Sequence, residues 1–123
     1  MSASRAANAY RQVDLESAPK TQIVDRLFAR FALDLDTARA AIVKRDVQGR
    51  ANALDHALQI VVELKASLDS ATAPELCANL AALYDFVIGR IGACTLTSSA
   101  KPLDEAGAVM AQLATAFCEA HAK

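Results

Sequence analysis

The chain has 123 residues, a net charge of −1 and a pI near 6.1, which bounds one domain with a sizeable core and gives no electrostatic case for nucleic acid or an anionic membrane. Hydrophobic residues make up 54%, but aromatics only 5%, with four glycines and three prolines. That Ala- and Leu-rich mix points away from a strand-rich fold and predicts an all-α protein.

Residues 1–16 hold little more than one turn of helical pattern, and Tyr10 is their only aromatic side chain. They read as a short mobile N-terminal arm anchored by Tyr10, ahead of a bundle domain over 17–123. The arm lacks the apolar core of a signal peptide, so the expected location is the cytoplasm. No apolar run approaches the roughly 20 residues of a membrane span, so membrane insertion is not expected. Ser17-Ala18-Pro19 supplies an N-cap and an early-helix proline, predicting a helix over 18–45. Its apolar seam is Val24, Phe28, Phe31, Leu35, Ala38 and Ile42. Asp46 then caps a second helix over 47–69 after a very short turn. In that helix Ala53, Leu54, Ala57, Leu58, Ile60, Val61, Val62, Leu64 and Leu68 spread over roughly twice the arc of an ordinary amphipathic face. Thr72-x-x-Glu75 has the form of a capping box opening a third helix over 73–95. Pro102 starts the last, over 102–121, with a seam of Leu103, Ala106, Met110, Leu113 and Phe117. Four helices of similar length joined by short loops predict an antiparallel up-down four-helix bundle.

The stretch that organises the chain is the third helix. At about 100° per residue, Leu80, Leu83, Tyr84, Val87, Ile88, Ile91 and Cys94 share one face. The other face carries Ala78, Ala81, Ala82, Phe86, Gly89, Gly92 and Ala93, and residues 78–94 contain only two charges, Asp85 and Arg90. A solvated helix face normally carries several Lys, Glu or Gln. Alanine and glycine instead let another backbone approach closely, and the glycines cost helix stability. The helix reads as one built to be covered on both sides.

The search for chemistry is nearly empty. There is no glycine-rich phosphate loop, no Glu-x-x-His or His-x-x-His metal pair and no Gly-x-Ser-x-Gly elbow. No catalytic residue, metal or cofactor is expected. Cys77, Cys94 and Cys118 fit neither a disulfide framework nor a zinc spacing and read as buried, reduced thiols. His56 lies on the polar edge of the second helix, where a histidine phosphotransfer domain would carry its acceptor. The residues after it lack the basic residue and small glycine of such sites, so an ordinary surface histidine is the stronger reading. Asp34 with Asp36 reads as a solvated face.

From Tyr10 onward the chain resembles the flagellin export chaperones, the FliS family. The resemblance is carried by Tyr10, the Ser-Ala-Pro opening, Leu27-Phe28, Ala41-Ile42, Asp46, and Ile60 with Glu63-Leu64 and Leu68-Asp69. It continues through Ala78-Asn79-Leu80, Leu83-Tyr84, Arg90 and Leu103-x-Glu105. Pro19, Gln22, Phe28, Cys94 and Phe117 depart from the family's pattern, as in a divergent member. The resemblance implies a non-enzymatic cytoplasmic chaperone. It would bind the disordered C-terminal segment of flagellin, block premature polymerisation and aid delivery to an export-gate component. A client that folds as helices on its chaperone needs long apolar grooves with small residues. The second and third helices offer both, so the client-binding residues are expected to be Ile60, Val62 and Leu64 on one side and Ala82, Phe86, Gly89, Arg90 and Ala93 on the other, with Tyr10 from the arm. The alternatives are that these broad faces are bundle core, or the seam of a homodimer in a self-associating structural or adaptor protein.

Overall fold

The computed structural model describes residues 18–68, 71, 73–97 and 99–120. The N-terminal arm, Tyr10 included, lies outside them. The chain forms four helices: α1 (Ala18–Lys44), α2 (Val47–Ala66), α3 (Pro74–Leu96) and α4 (Lys101–Ala120). There is no strand among the described residues. Each helix packs on its neighbours in sequence, and α4 closes the ring onto α1 more sparsely, while no Cα atoms of α1 and α3, or of α2 and α4, come within 8 Å of each other. Phe28 near the start of α1 meets Phe117 near the end of α4 with ring centroids 5.9 Å apart. Arg39 further along α1 binds Asp104 at the start of α4 at 3.1 Å. Contacts in opposite chain order are those of antiparallel neighbours, as the short connections anticipate.

The apolar seams produce the core. Val24, Phe28, Phe31, Leu35 and Ala38 of α1 are buried with the whole expected seam of α4. From α3 the core takes Leu80, Tyr84, Val87, Ile91 and Cys94. In α2, Ala53, Leu54, Ala57, Ile60, Val61 and Leu64 are buried, while Leu58 and Leu68 pack at its edge.

The turn between α1 and α2 is tighter than its sequence advertises. The Asp46 N–H donates to the Ala41 carbonyl at 2.8 Å, and the Arg45 N–H to the Ile42 carbonyl at 3.2 Å. These are the paired bonds of a Schellman helix end, whose left-handed residue is usually glycine. Here Arg45 takes it, at φ 59°. Asp46 then serves the next helix as N-cap, accepting from the Gly49 N–H at 2.9 Å. Gly49 leaves room for that cap, since a Cβ there would collide with the Asp46 carboxylate.

Two expectations need correction. The N-cap of α3 is Ala73, with no side-chain cap bond and Pro74 in the first turn. Thr72 lies outside the described residues. Proline removes one of the unsatisfied donors that a capping side chain would otherwise meet. Cys77 and Cys94 are buried as expected, but Cys118 is exposed, because the α4 seam passes through Phe117 and leaves its neighbour outside. Burial raises the Cys94 thiol above its ordinary range, with Arg50 opposing, and its Sγ donates to the Ser99 carbonyl.

Leu80 is fully buried between the helices and Leu33 is exposed. Leu80→Ala should cost about 2–5 kcal/mol in urea unfolding through the cavity it leaves. Leu33→Ala should stay within about 0.5 kcal/mol of the parent.

Candidate functional site

The site begins with the two charges of α3. Asp85 accepts from Lys65 of α2 at 2.7 Å, and Arg90 reaches Glu105 of α4 at 3.5 Å. The helix is thus clamped to a neighbour on each flank by its own ion pairs. Such exposed pairs stabilise little, about 0–1 kcal/mol each, but their placement leaves the face between them uncharged. That face carries Ala78, Ala82, Phe86, Gly89 and Gly92, all exposed, and half-buried Ala93. Phe86 is 44% exposed, with the Arg90 guanidinium 5.9 Å from its ring centroid. The arginine covers one side of the ring and leaves a large apolar group among small neighbours.

Neither glycine of the strip is required by the bundle. A Cβ at Gly89 or Gly92 would meet nothing within 4 Å, and neither has a positive φ. Each still costs the helix about 0.5–1 kcal/mol relative to alanine. By length and composition alone α3 is apolar enough to cross a membrane, as the core helix of a bundle can be, and only 28% of its most apolar stretch is buried. Alanine, glycine and cysteine raise its apolar character without supplying large side chains. Its core-facing seam packs inside the bundle, and the remainder is an uncovered strip.

The expected site residues therefore separate. Ala82, Phe86 and Gly89 lie together on the open strip of α3, with Ala93 and Arg90 half-buried beside them. On α2, only Val62 is outside, at 51% exposure. Ile60 and Leu64 are core residues, and their assignment to a surface site is corrected. The wide apolar arc of α2 faces two partners, α1 and α3, and that double packing absorbs both side chains.

Two features escaped the sequence. Where α4 closes on α1, an apolar groove of about 230 Å³ is lined by Phe28, Phe31, Leu35, Gly107 and Met110, among others. Gly107, beside a seam of large residues, is its one sequence signal. A Cβ there would sit 3.3 Å from Leu35 Cδ1. The second feature is Asp34, which is buried rather than solvated. His56 Nδ1 of α2 meets its Oδ2 at 2.5 Å, with the carboxylate as acceptor, and Arg30 Nε lies 3.5 Å from the other oxygen. His56 is thus a polar tie between α1 and α2 and not an isolated surface histidine. Among the described residues no group of His, Cys, Asp and Glu could hold a metal ion.

The sequence matches the family described as "Flagellar protein FliS" over residues 3–123. It is similar to the flagellar secretion chaperone FliS of Salmonella typhimurium (strain LT2), at 32% identity across 89% of this chain and 84% of that protein. The flagellar secretion chaperone FliS of Escherichia coli K12 is 31% identical across 97% of this chain and 91% of its own. Flagellar secretion chaperone FliSB of Pseudomonas aeruginosa is 26% identical across 92% and 93%. No solved structure matches the chain.

With nothing in the bundle requiring them, Gly89→Ala and Gly92→Ala should each raise the stability of the isolated protein by about 0.5–1 kcal/mol in chemical denaturation. His56→Ala should cost about 0.5–1.5 kcal/mol, because it leaves a buried carboxylate with one long contact to Arg30. A double-mutant cycle with Asp34→Ala should return most of that loss as coupling.

Proposed function

The chain belongs to the flagellar protein FliS family, and we propose that, as a flagellar secretion chaperone, it holds the disordered C-terminal segment of flagellin in helical form across the outer strip of α3. Family membership makes it a chaperone and not an enzyme. Flagellin as client, the cytoplasm as workplace and delivery to a component of the flagellar export gate are the finer reading proposed here.

The observation that carries the reading is the cost of the strip. A solvated surface would gain solubility from charges and stability from replacing Gly89 and Gly92. This one has neither charges nor any packing need for glycine. A partner helix lying against Ala82, Gly89 and Ala93 could approach closely and bring an apolar side chain onto Phe86. Val62 on α2 lies outside the core to extend the contact. Partner binding would then offset the price of a destabilised helix, the usual trade between stability and function. A client held this way would keep its own apolar face covered, which is how a chaperone prevents premature polymerisation.

The test is a titration with a flagellin C-terminal peptide. Ala82→Glu should weaken binding at least tenfold, because the carboxylate would be buried against the client without a partner. Phe86→Ala should do the same by removing a central aromatic contact. Both variants should keep the helicity of the free protein, since both positions are exposed. Gly89→Ala should bind more weakly while being more stable. Unchanged affinity in the Glu and Ala variants would remove the strip from the client site. Loss of a concentration-dependent dimer in these variants, with peptide affinity intact, would make the strip a homodimer seam instead.

A further inference from the structure

The three most exposed large hydrophobic side chains in the described structure lie at one end of the bundle. Val43 closes α1 and is 84% exposed, Val47 opens α2 at 67%, and Leu96 ends α3 at 87%. The up-down order of the helices, with α2 packed on both α1 and α3, brings the end of α1, the start of α2 and the end of α3 to this end. The same end carries the exposed cations Lys44, Arg45 and Lys101. Of its acidic groups, Asp104 binds Arg39 and Glu105 binds Arg90, while Asp46 accepts from the Gly49 N–H and stays at the cleft, outnumbered by the cations around it. A cleft of about 410 Å³ opens here, with Ala41, Ile42 and Val47 as apolar lining and Arg45, Arg50 and the Asp46 carboxylate at its polar edge.

Arg45 is the decisive residue. It holds the left-handed position of the turn, φ 59°, where glycine is free of strain and a longer side chain is not. The fold gains nothing visible from the side chain, which is exposed at the mouth of the cleft. An arginine at a position that favours glycine, among uncovered valines, points to a use outside the bundle.

We propose that the α1–α2 turn is a second docking surface, distinct from the α3 strip, for a partner protein segment in which acidic residues flank an apolar side chain. The apolar group enters the cleft between Ile42 and Val47, and the flanking carboxylates meet the exposed Arg45 and Lys44. Charge complementarity selects an acidic segment. The narrow cleft selects a side chain over a flat lipid surface.

The probe is a fluorescein-labelled twelve-residue peptide of Leu and Ile flanked by Glu and Asp, followed by anisotropy, with a Lys/Arg counterpart as control. The acidic peptide should bind, with affinity falling severalfold between low and physiological salt, and the basic one should not. Arg45→Gly separates the proposal from any folding role. It should raise Tm by a few degrees by relieving the turn, and weaken the acidic peptide at least fivefold. Val43→Ser should also weaken it with Tm unchanged. The proposal is overturned by equal binding of both peptides, by no binding of either, or by undiminished binding to Arg45→Gly. It is overturned equally if vesicles rich in anionic lipid capture the protein through Arg45 and the peptide does not. Self-association abolished by Arg45→Gly, seen by light scattering, would replace the partner with a second copy.

Discussion

A ring of four helices cannot cover every face of its members. Each helix here runs its backbone close beside two neighbours and not the one across, so each keeps a face outside. On α1, α2 and α4 that constraint is met mostly in the ordinary way, with charged and polar residues facing water between scattered apolar ones such as Leu33 and Val62. On α3 it is not. The helix carries only two charges within residues 78–94, and both are drawn to its flanks, Asp85 by Lys65 and Arg90 by Glu105. What is left facing outward is alanine, glycine, one phenylalanine and, among polar residues, Asn79. The uncovered strip is thus a direct result of putting a helix apolar on all sides into a position with only two partners.

Ion pairs of this kind matter here more for placement than for energy. Exposed pairs contribute little to stability, yet these fix which arc of α3 points outward and keep charges off it. Arg90 does both, holding Glu105 while lying over the Phe86 ring. The glycines act in the same direction from the side of shape. They lower the helix stability in return for a low, smooth surface, and no neighbour in the bundle makes use of it. A secretion chaperone has a use for such a surface. The proposed client, a disordered segment that turns helical on binding and is later released, would need a large contact area built of weak contacts.

The two ends of the first helix pair show how local rules bend to connection geometry. Only Arg45 and Asp46 separate α1 from α2. Asp46 both completes the end of one helix and caps the start of the next, and Arg45 takes the backbone strain. Further along, α1 and α2 are tied by Asp34 and His56. A buried carboxylate would be costly alone. Between a histidine and Arg30 it becomes a polar tie that fixes the register of the two helices against sliding.

The four helices, their limits to within a few residues, most of the core and the family resemblance were all legible in the chain itself. They follow from local quantities: the 3.6-residue spacing of Val24 to Ile42 or Leu103 to Phe117, the Asp46 cap and the position of Pro102. The odd composition of the α3 strip was equally plain, because a missing row of charges is visible without coordinates. Which apolar residues face outward was not, since that depends on how many neighbours each helix has. Ile60, Val62 and Leu64 share one wide arc, and only the packing of α2 between α1 and α3 buries the first and third and exposes the second. The same holds for Asp34, which reads as surface until α2 brings His56 over it, and for the α1–α4 groove, which exists only because the ring closes loosely there. Periodicity sets which side chains share a face of a helix; the number and distance of the neighbouring helices set whether that face is core or surface.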